Sequence, residues 1–121
     1  MYEIEVEVSF PASHQVSLTG GEPELLHEHT WTVRAKLAGR KLSADGILVD
    51  FTIVKQLLGQ IADKLKGKDL GRVTVLAQQN PSAENVARYF YEQLQGGFGP
   101  DVQLIGVAVQ EAPGCWASYR S

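Results

Sequence analysis

With 121 residues, 44% of them hydrophobic and 21% charged, the chain has the length and balance of one globular domain spanning 1–121, with room for a single core and none for an appended module. Its formal charge of −3 argues against a nucleic-acid partner, which favours clustered Lys and Arg, and its apolar runs are too short to cross a bilayer. Cys115 is the one cysteine, so an intramolecular disulfide is excluded, and the alternating start MYEIEVEV is unlike a signal peptide; a cytoplasmic protein with a small-molecule partner is expected.

Residues 2–10 alternate strictly, with Glu3, Glu5 and Glu7 opposed to Ile4, Val6, Val8 and Phe10, which predicts a half-buried strand ending short of His14. Residues 11–26 carry Pro11, Gly20, Gly21 and Pro23 and read as a long irregular connection, a kind of loop that usually has a functional reason to exist. Period two returns over 29–37, where Trp31, Val33, Ala35 and Leu37 oppose Thr30, Thr32, Arg34 and Lys36, predicting a second strand antiparallel to the first. After a turn at 44–46 and a short extended piece at 47–49, Asp50 reads as a helix N-cap. Phe51, Val54, Leu57, Leu58, Ile61 and Leu65 then recur at helical spacing, predicting a helix over 51–66 that Gly67 ends.

Asn80-Pro81-Ser82 predicts a second helix start, with Asn80 as cap and Pro81 in the first turn, where its missing N–H costs nothing. Val86, Ala87, Phe90 and Leu94 form its buried stripe, and it stops near Gly96. Strands at 102–110 and 115–120 follow, split by Ala112-Pro113-Gly114, and Cys115 is expected to pack as a structural residue. The order ββααββ predicts an α+β domain, a four-stranded antiparallel sheet with two helices on one face. Its two edges invite pairing with another chain.

All three histidines fall between positions 14 and 29, and His27 and His29 form a His-x-His pair. In a strand, residues i and i+2 share a face about 7 Å apart, so that pair can offer two imidazoles to one ion and His14 a third. Three imidazoles with a fourth position open make the ligand set of a catalytic zinc. The plainer alternative, surface or core histidines that bind nothing, fits the spacing as well. Glu28, between the two, points to the opposite face of a regular strand and is expected to be neither ligand nor base.

Five motifs in order, Phe10-x-Ala12-x-His14, Leu26-His27-x-His29-x-Trp31, Gly46-x-x-Val49-Asp50-Phe51, Asn80-Pro81-Ser82-x-Glu84-Asn85-x-Ala87 and Glu111-x-Pro113 with Tyr119, resemble the 6-pyruvoyltetrahydropterin synthase and 6-carboxytetrahydropterin synthase family. The resemblance implies a tunnelling fold (T-fold), with sheet edges paired into a trimeric barrel and two trimers stacked into a hexamer. It implies that His14, His27 and His29 hold zinc as a Lewis acid and that Glu111 accepts the amino and ring N–H groups of a pterin-like ligand. Ser82 stands where the family commonly has a threonine that contacts pterin; simple helix capping could be true at the same time. Without the resemblance, Glu111 would read as a solvent-facing residue at a strand end.

The sequence also departs from the family. The cysteine that typically precedes the His-x-His pair is absent from residues 22–26, and Leu70 follows Asp69 where a histidine belongs. Two of three proton-handling groups of the ordinary synthases are therefore missing, so the resemblance does not by itself imply the standard reaction. A variant subgroup uses glutamate in place of the cysteine and cleaves the substrate side chain in aldolase fashion, and Glu24 resembles that glutamate; an ordinary solvated loop acid is the alternative. Two readings follow. One is a zinc-dependent lyase on dihydroneopterin triphosphate or a related pterin, with Glu24 and Asp69 handling protons. The other is a non-catalytic protein of the same fold that binds a pterin- or purine-like ligand.

Overall fold

The computed structural model describes residues 1–22 and 24–120; Pro23, read above as part of the long connection, and Ser121 lie outside the described residues. Four strands, β1 (Tyr2–His14), β2 (His27–Gly39), β3 (Gln103–Ala112) and β4 (Cys115–Arg120), form an antiparallel sheet in the order β1-β2-β3-β4. The alternation read over 2–10 continues through Ala12 to His14, so His14 ends β1 rather than standing beyond it. Pro11 does not break the strand because it lies on an outer edge, where its missing N–H is not required. There the Pro11 carbonyl accepts the Gly67 N–H (2.7 Å), and the Ser13 N–H donates to the Lys68 carbonyl (2.9 Å). β2 likewise starts two residues earlier than predicted, which pairs His14 with His27 and Ala12 with His29.

Helix α1 (Phe51–Asp63) begins where Asp50 accepts the Thr52 N–H at 2.9 Å. It ends three residues short of position 66, and Gly67 then takes a positive φ of 72° in the turn that follows. Val54, Leu58, Ile61 and Ala62 are its buried face; Phe51, expected in that stripe, is exposed, because the apolar face closes on the sheet only from Val54 onward. A 3₁₀ turn at Leu70–Arg72 and a four-residue helix α2 (Thr74–Ala77) follow, both too short for a periodic signature. Helix α3 (Ala83–Leu94) is capped by Ser82, whose Oγ accepts the Asn85 N–H (3.2 Å), and not by Asn80. The Asn80 side chain is bonded elsewhere, to Ser17, and Pro81 precedes the helix.

The two long helices cover one face of the sheet, α1 against β1 and α3 against β3 and β4. Trp31, Val33, Leu37, Leu58, Val86, Phe90 and Val107 are buried there, and the Phe10 and Phe90 rings pack with centroids 5.9 Å apart. Each such side chain contributes about 1.5–3 kcal/mol of burial. The other face is polar, crossed by Glu5–Lys36 (3.3 Å) and Glu7–Arg34 (2.9 Å) ion pairs, with the Arg34 guanidinium 4.5 Å over Trp116. Cys115 is exposed, contrary to expectation, because it is the first residue after the Pro113-Gly114 turn at the end of the sheet. Among the described residues, no helix is long and apolar enough to cross a membrane.

Candidate metal centre

Period two places the chemistry on the helix-covered face. Ala12 and His14 on β1, and His27, His29 and Trp31 on β2, all follow the same alternation as the buried core. On β3 the series Val107, Val109, Glu111 does the same, and Glu111 comes one residue after Gln110, the partner of Thr32. One ligand atom each from His14, His27, His29 and Glu111 therefore lies within 4.8 Å of the others. The three imidazoles pack edge to face, with centroids 4.3 to 5.3 Å apart. Trp31 floors the group: its ring is 4.8 Å from that of His14, and its indole N–H is anchored on the Ala12 carbonyl at 3.1 Å.

Backbone carbonyls set the tautomers. His14 Nδ1 is 2.7 Å from the Pro81 carbonyl oxygen and His27 Nδ1 is 2.7 Å from that of Leu25. A carbonyl only accepts, so each Nδ1 carries the proton and each neutral ring turns a lone pair on Nε2 toward the group. For His14 that nitrogen is fully buried, has no hydrogen-bond partner among the described residues, and stands against Glu111 Oε1. The contact is an ion pair if the ring holds two protons and a repulsion between acceptors if it holds one. A divalent cation removes the repulsion without the second proton.

His29 Nε2 is 3.7 Å from the same Glu111 oxygen. Burial, then the neighbouring His27, hold the His29 imidazole below its ordinary pKa; Glu111 and Glu24 oppose and His14 adds to the lowering. The neutral form so favoured is the one that binds metal. A buried orphan nitrogen, two oriented imidazoles, a third held neutral and one carboxylate make a donor set that fits zinc.

The remaining predicted residues fall around this group. Glu24 lies in the exposed connection between β1 and β2, its N–H bonded to the Val16 carbonyl (3.1 Å), and its carboxylate acts electrostatically on His29. Asp69 is outside the ligand group; its carboxylate caps the 3₁₀ turn through the Gly71 N–H (3.0 Å) and pairs with Arg72 at 3.6 Å. Ser82 caps α3 with its hydroxyl. Glu28 is exposed and outside the group, while Leu70 is buried in the core. Sequence reasoning missed the Pro81 and Leu25 carbonyls, which any residue could have supplied. It also missed the tie between Asn80 and Ser17.

A family model described as 6-pyruvoyl tetrahydropterin synthase matches residues 3–121. The chain is similar to a dihydroneopterin monophosphate aldolase of Pyrococcus furiosus, 27% identical over 103 residues that cover 85% of this chain and 83% of that protein. It is 26% identical over 124 residues to a 6-carboxy-5,6,7,8-tetrahydropterin synthase of Bacillus subtilis, covering 98% and 85% of the two chains. In three dimensions it matches 6-pyruvoyl tetrahydropterin synthase of Caenorhabditis elegans with a TM-score of 0.83 at 21% identity, over 99% of this chain and 95% of that one.

Proposed function

The chain belongs to the 6-pyruvoyl tetrahydropterin synthase family, and on that premise we propose that it is a pterin-binding, zinc-dependent lyase that cleaves the side chain of a phosphorylated dihydroneopterin in aldolase fashion. The observation that carries this reading is the convergence of His14, His27, His29 and Glu111, with the buried His14 Nε2 set against the Glu111 carboxylate and, among the described residues, without a hydrogen-bond partner. The likeness to an archaeal aldolase on dihydroneopterin monophosphate supports the reaction class.

His14, His27 and His29 would hold the zinc. When bound, it supplies a Lewis acid that draws electron density from a side-chain oxygen of the substrate. Aldol cleavage needs a group to take the hydroxyl proton from the leaving carbon and a proton returned to the carbon left behind. The chain has no fourth histidine, and its one cysteine lies outside the ligand group, so in this reading carboxylates handle these protons. Glu24 is the base in this reading, on the loop whose charge reaches His29. Asp69 is the auxiliary group, and the weaker one, since its carboxylate is already used in a cap.

Glu111 would anchor the ring, where an amino group beside a ring N–H offers two coplanar donors to one carboxylate. Its contact with His14 gives it a competing role as a fourth metal ligand. Glu111→Ala separates the two: pterin binding lost with zinc kept marks an anchor, and zinc lost marks a ligand. Ser82 would contact the ligand in this reading, in addition to capping α3 through the Asn85 N–H. The open edges of β1 and β4 support assembly through edge pairing as a hexamer.

The test incubates zinc-loaded protein with dihydroneopterin monophosphate and triphosphate and follows products by chromatography, beside Glu24→Gln. A hydroxymethyl dihydropterin product that disappears in the variant supports the lyase. Buried Leu70, with no proton to exchange, favours a second reading as a non-catalytic pterin- or purine-binding protein. Tight pterin binding without turnover would select it.

A further inference from the structure

Asn80 is exposed, yet its side chain makes two hydrogen bonds to the backbone of a single residue, Ser17, in the connection between β1 and β2. Its Oδ1 accepts the Ser17 N–H at 3.0 Å and its Nδ2 donates to the Ser17 carbonyl at 2.6 Å. An amide is the side-chain group that can pair with a peptide in this way, as a neighbouring strand would. Both ends of this tie are fixed. The Asn80 carbonyl accepts Asn85 Nδ2 (2.8 Å) from the first turn of α3, and the next carbonyl, that of Pro81, holds His14 Nδ1. On the loop, the Val16 carbonyl beside Ser17 accepts the Glu24 N–H (3.1 Å).

Among the described residues, these two bonds are the only hydrogen bonds from residues 15–24 to any part of the chain outside the loop. The loop's other bond in that stretch, Gly21 N–H to the Leu18 carbonyl at 3.3 Å, is internal. Leu18, Leu25 and Leu26 are exposed, and Val16 is half-buried. Two successive residues thus serve the two halves of the site, Pro81 with its backbone for the metal wall and Asn80 with its side chain for the loop.

We propose that Asn80 is a positioning residue that fixes Glu24 relative to the histidine wall by clamping Ser17. The functional half of this inference rests on the lyase reading; the clamp does not. A carboxylate at position 80 would keep the acceptor for the Ser17 N–H but set an oxygen against the Ser17 carbonyl. The bond from Asn85 goes to the Asn80 backbone and survives either substitution.

The experiment measures amide hydrogen exchange in zinc-loaded Asn80→Ala and Asn80→Asp, together with a turnover cycle against Glu24→Gln on dihydroneopterin monophosphate. In Asn80→Ala, exchange at Ser17 and Glu24 should rise about 10- to 50-fold, as expected for two lost hydrogen bonds, with strand amides unchanged. Asn80→Asp should exchange at least as fast as wild type at both amides. Zinc affinity should stay within about threefold, since the Pro81 carbonyl is untouched, while turnover falls and the Asn80 and Glu24 effects are strongly non-additive. Unchanged exchange at Ser17 and Glu24 in Asn80→Ala overturns the clamp, and additive turnover effects overturn its link to Glu24. If the wild type turns over nothing, the lyase reading and that link fall together, and exchange alone decides the clamp.

Discussion

The histidine wall and the loop that carries Glu24 sit side by side but are built differently. The wall is carried on strands: His14 and His27 are ladder partners, each ring is oriented by a backbone carbonyl, and Trp31 packs beneath them. The loop is largely exposed, and among the described residues the hydrogen bonds that tie residues 15–24 to the rest of the chain all come from one asparagine. Metal ligands must keep their geometry with or without substrate, which favours regular, buried structure. A group that meets the reacting part of a substrate needs a segment that can give way as ligand enters and leaves. The contrast predicts that substitutions in the wall abolish metal binding, while those in the loop spare the metal and reduce turnover.

The largest effect should come from His14→Ala. It deletes the proposed ligand at 0% exposure and strands the Pro81 carbonyl. If a structural zinc site is worth roughly 10–16 kcal/mol over four ligands, one ligand is worth about 3 kcal/mol, so zinc affinity should fall by over a hundredfold. Zinc analysis after dialysis measures it, and retention of one zinc per chain would remove His14 from the wall. Next comes Glu24→Gln, which should cost about 10²–10⁴ in turnover with zinc content unchanged, the loss typical of a missing general base. A smaller loss would return Glu24 to the status of a solvated acid.

Ser82→Ala should lower stability by about 1 kcal/mol, the usual cost of an N-cap, read from a denaturant midpoint. If pterin affinity drops as well, the hydroxyl has both roles. A modest pH effect follows from His29 in the zinc-free protein. Its folded pKa lies below the unfolded value, so the unfolded chain takes up the proton first as acidity rises. Stability should therefore decline as pH falls below about 6.5 toward the folded value, and melting curves of chelator-treated protein should show it. His29→Gln should flatten that decline. Cys115→Ser should change neither zinc content nor turnover, because the thiol lies outside the ligand group; a loss of turnover would assign it a role that neither region supplies.

The same contrast explains what could be read from the residues. Alternation in YEIEVEVSF and in the stretch after His29, with the Val86 to Leu94 stripe, is enough for the α+β fold, because strand and helix periods record which face is buried. Glu111 was legible only through the family resemblance: the expected strand ends at 110, and its extension to Ala112 is what lets Glu111 follow Val107 and Val109 at period two. Carrying β1 on through Ala12 would have put His14 on the core face; Pro11 hid that, because only the sheet order shows that it faces an edge. The carbonyls of Pro81 and Leu25 left no trace, since every residue has one. The Asn80 tie was masked by a stronger local signal, the helix-start pattern in which asparagine ordinarily reads as a cap.

The segment at Gly67 and Lys68 has a consequence for how copies of this chain could join. It occupies the outer hydrogen-bonding positions of Pro11 and Ser13, and by the antiparallel alternation the matching positions at Glu3, Glu5, Glu7 and Ser9 face the same way and are left vacant within the chain. A strand added along β1 can therefore run only as far as Ser9 before it meets a built-in stopper. The register of such an added strand would be set five residues away from His14, so a neighbour docking on this edge would leave in place the backbone that carries the proposed metal ligand.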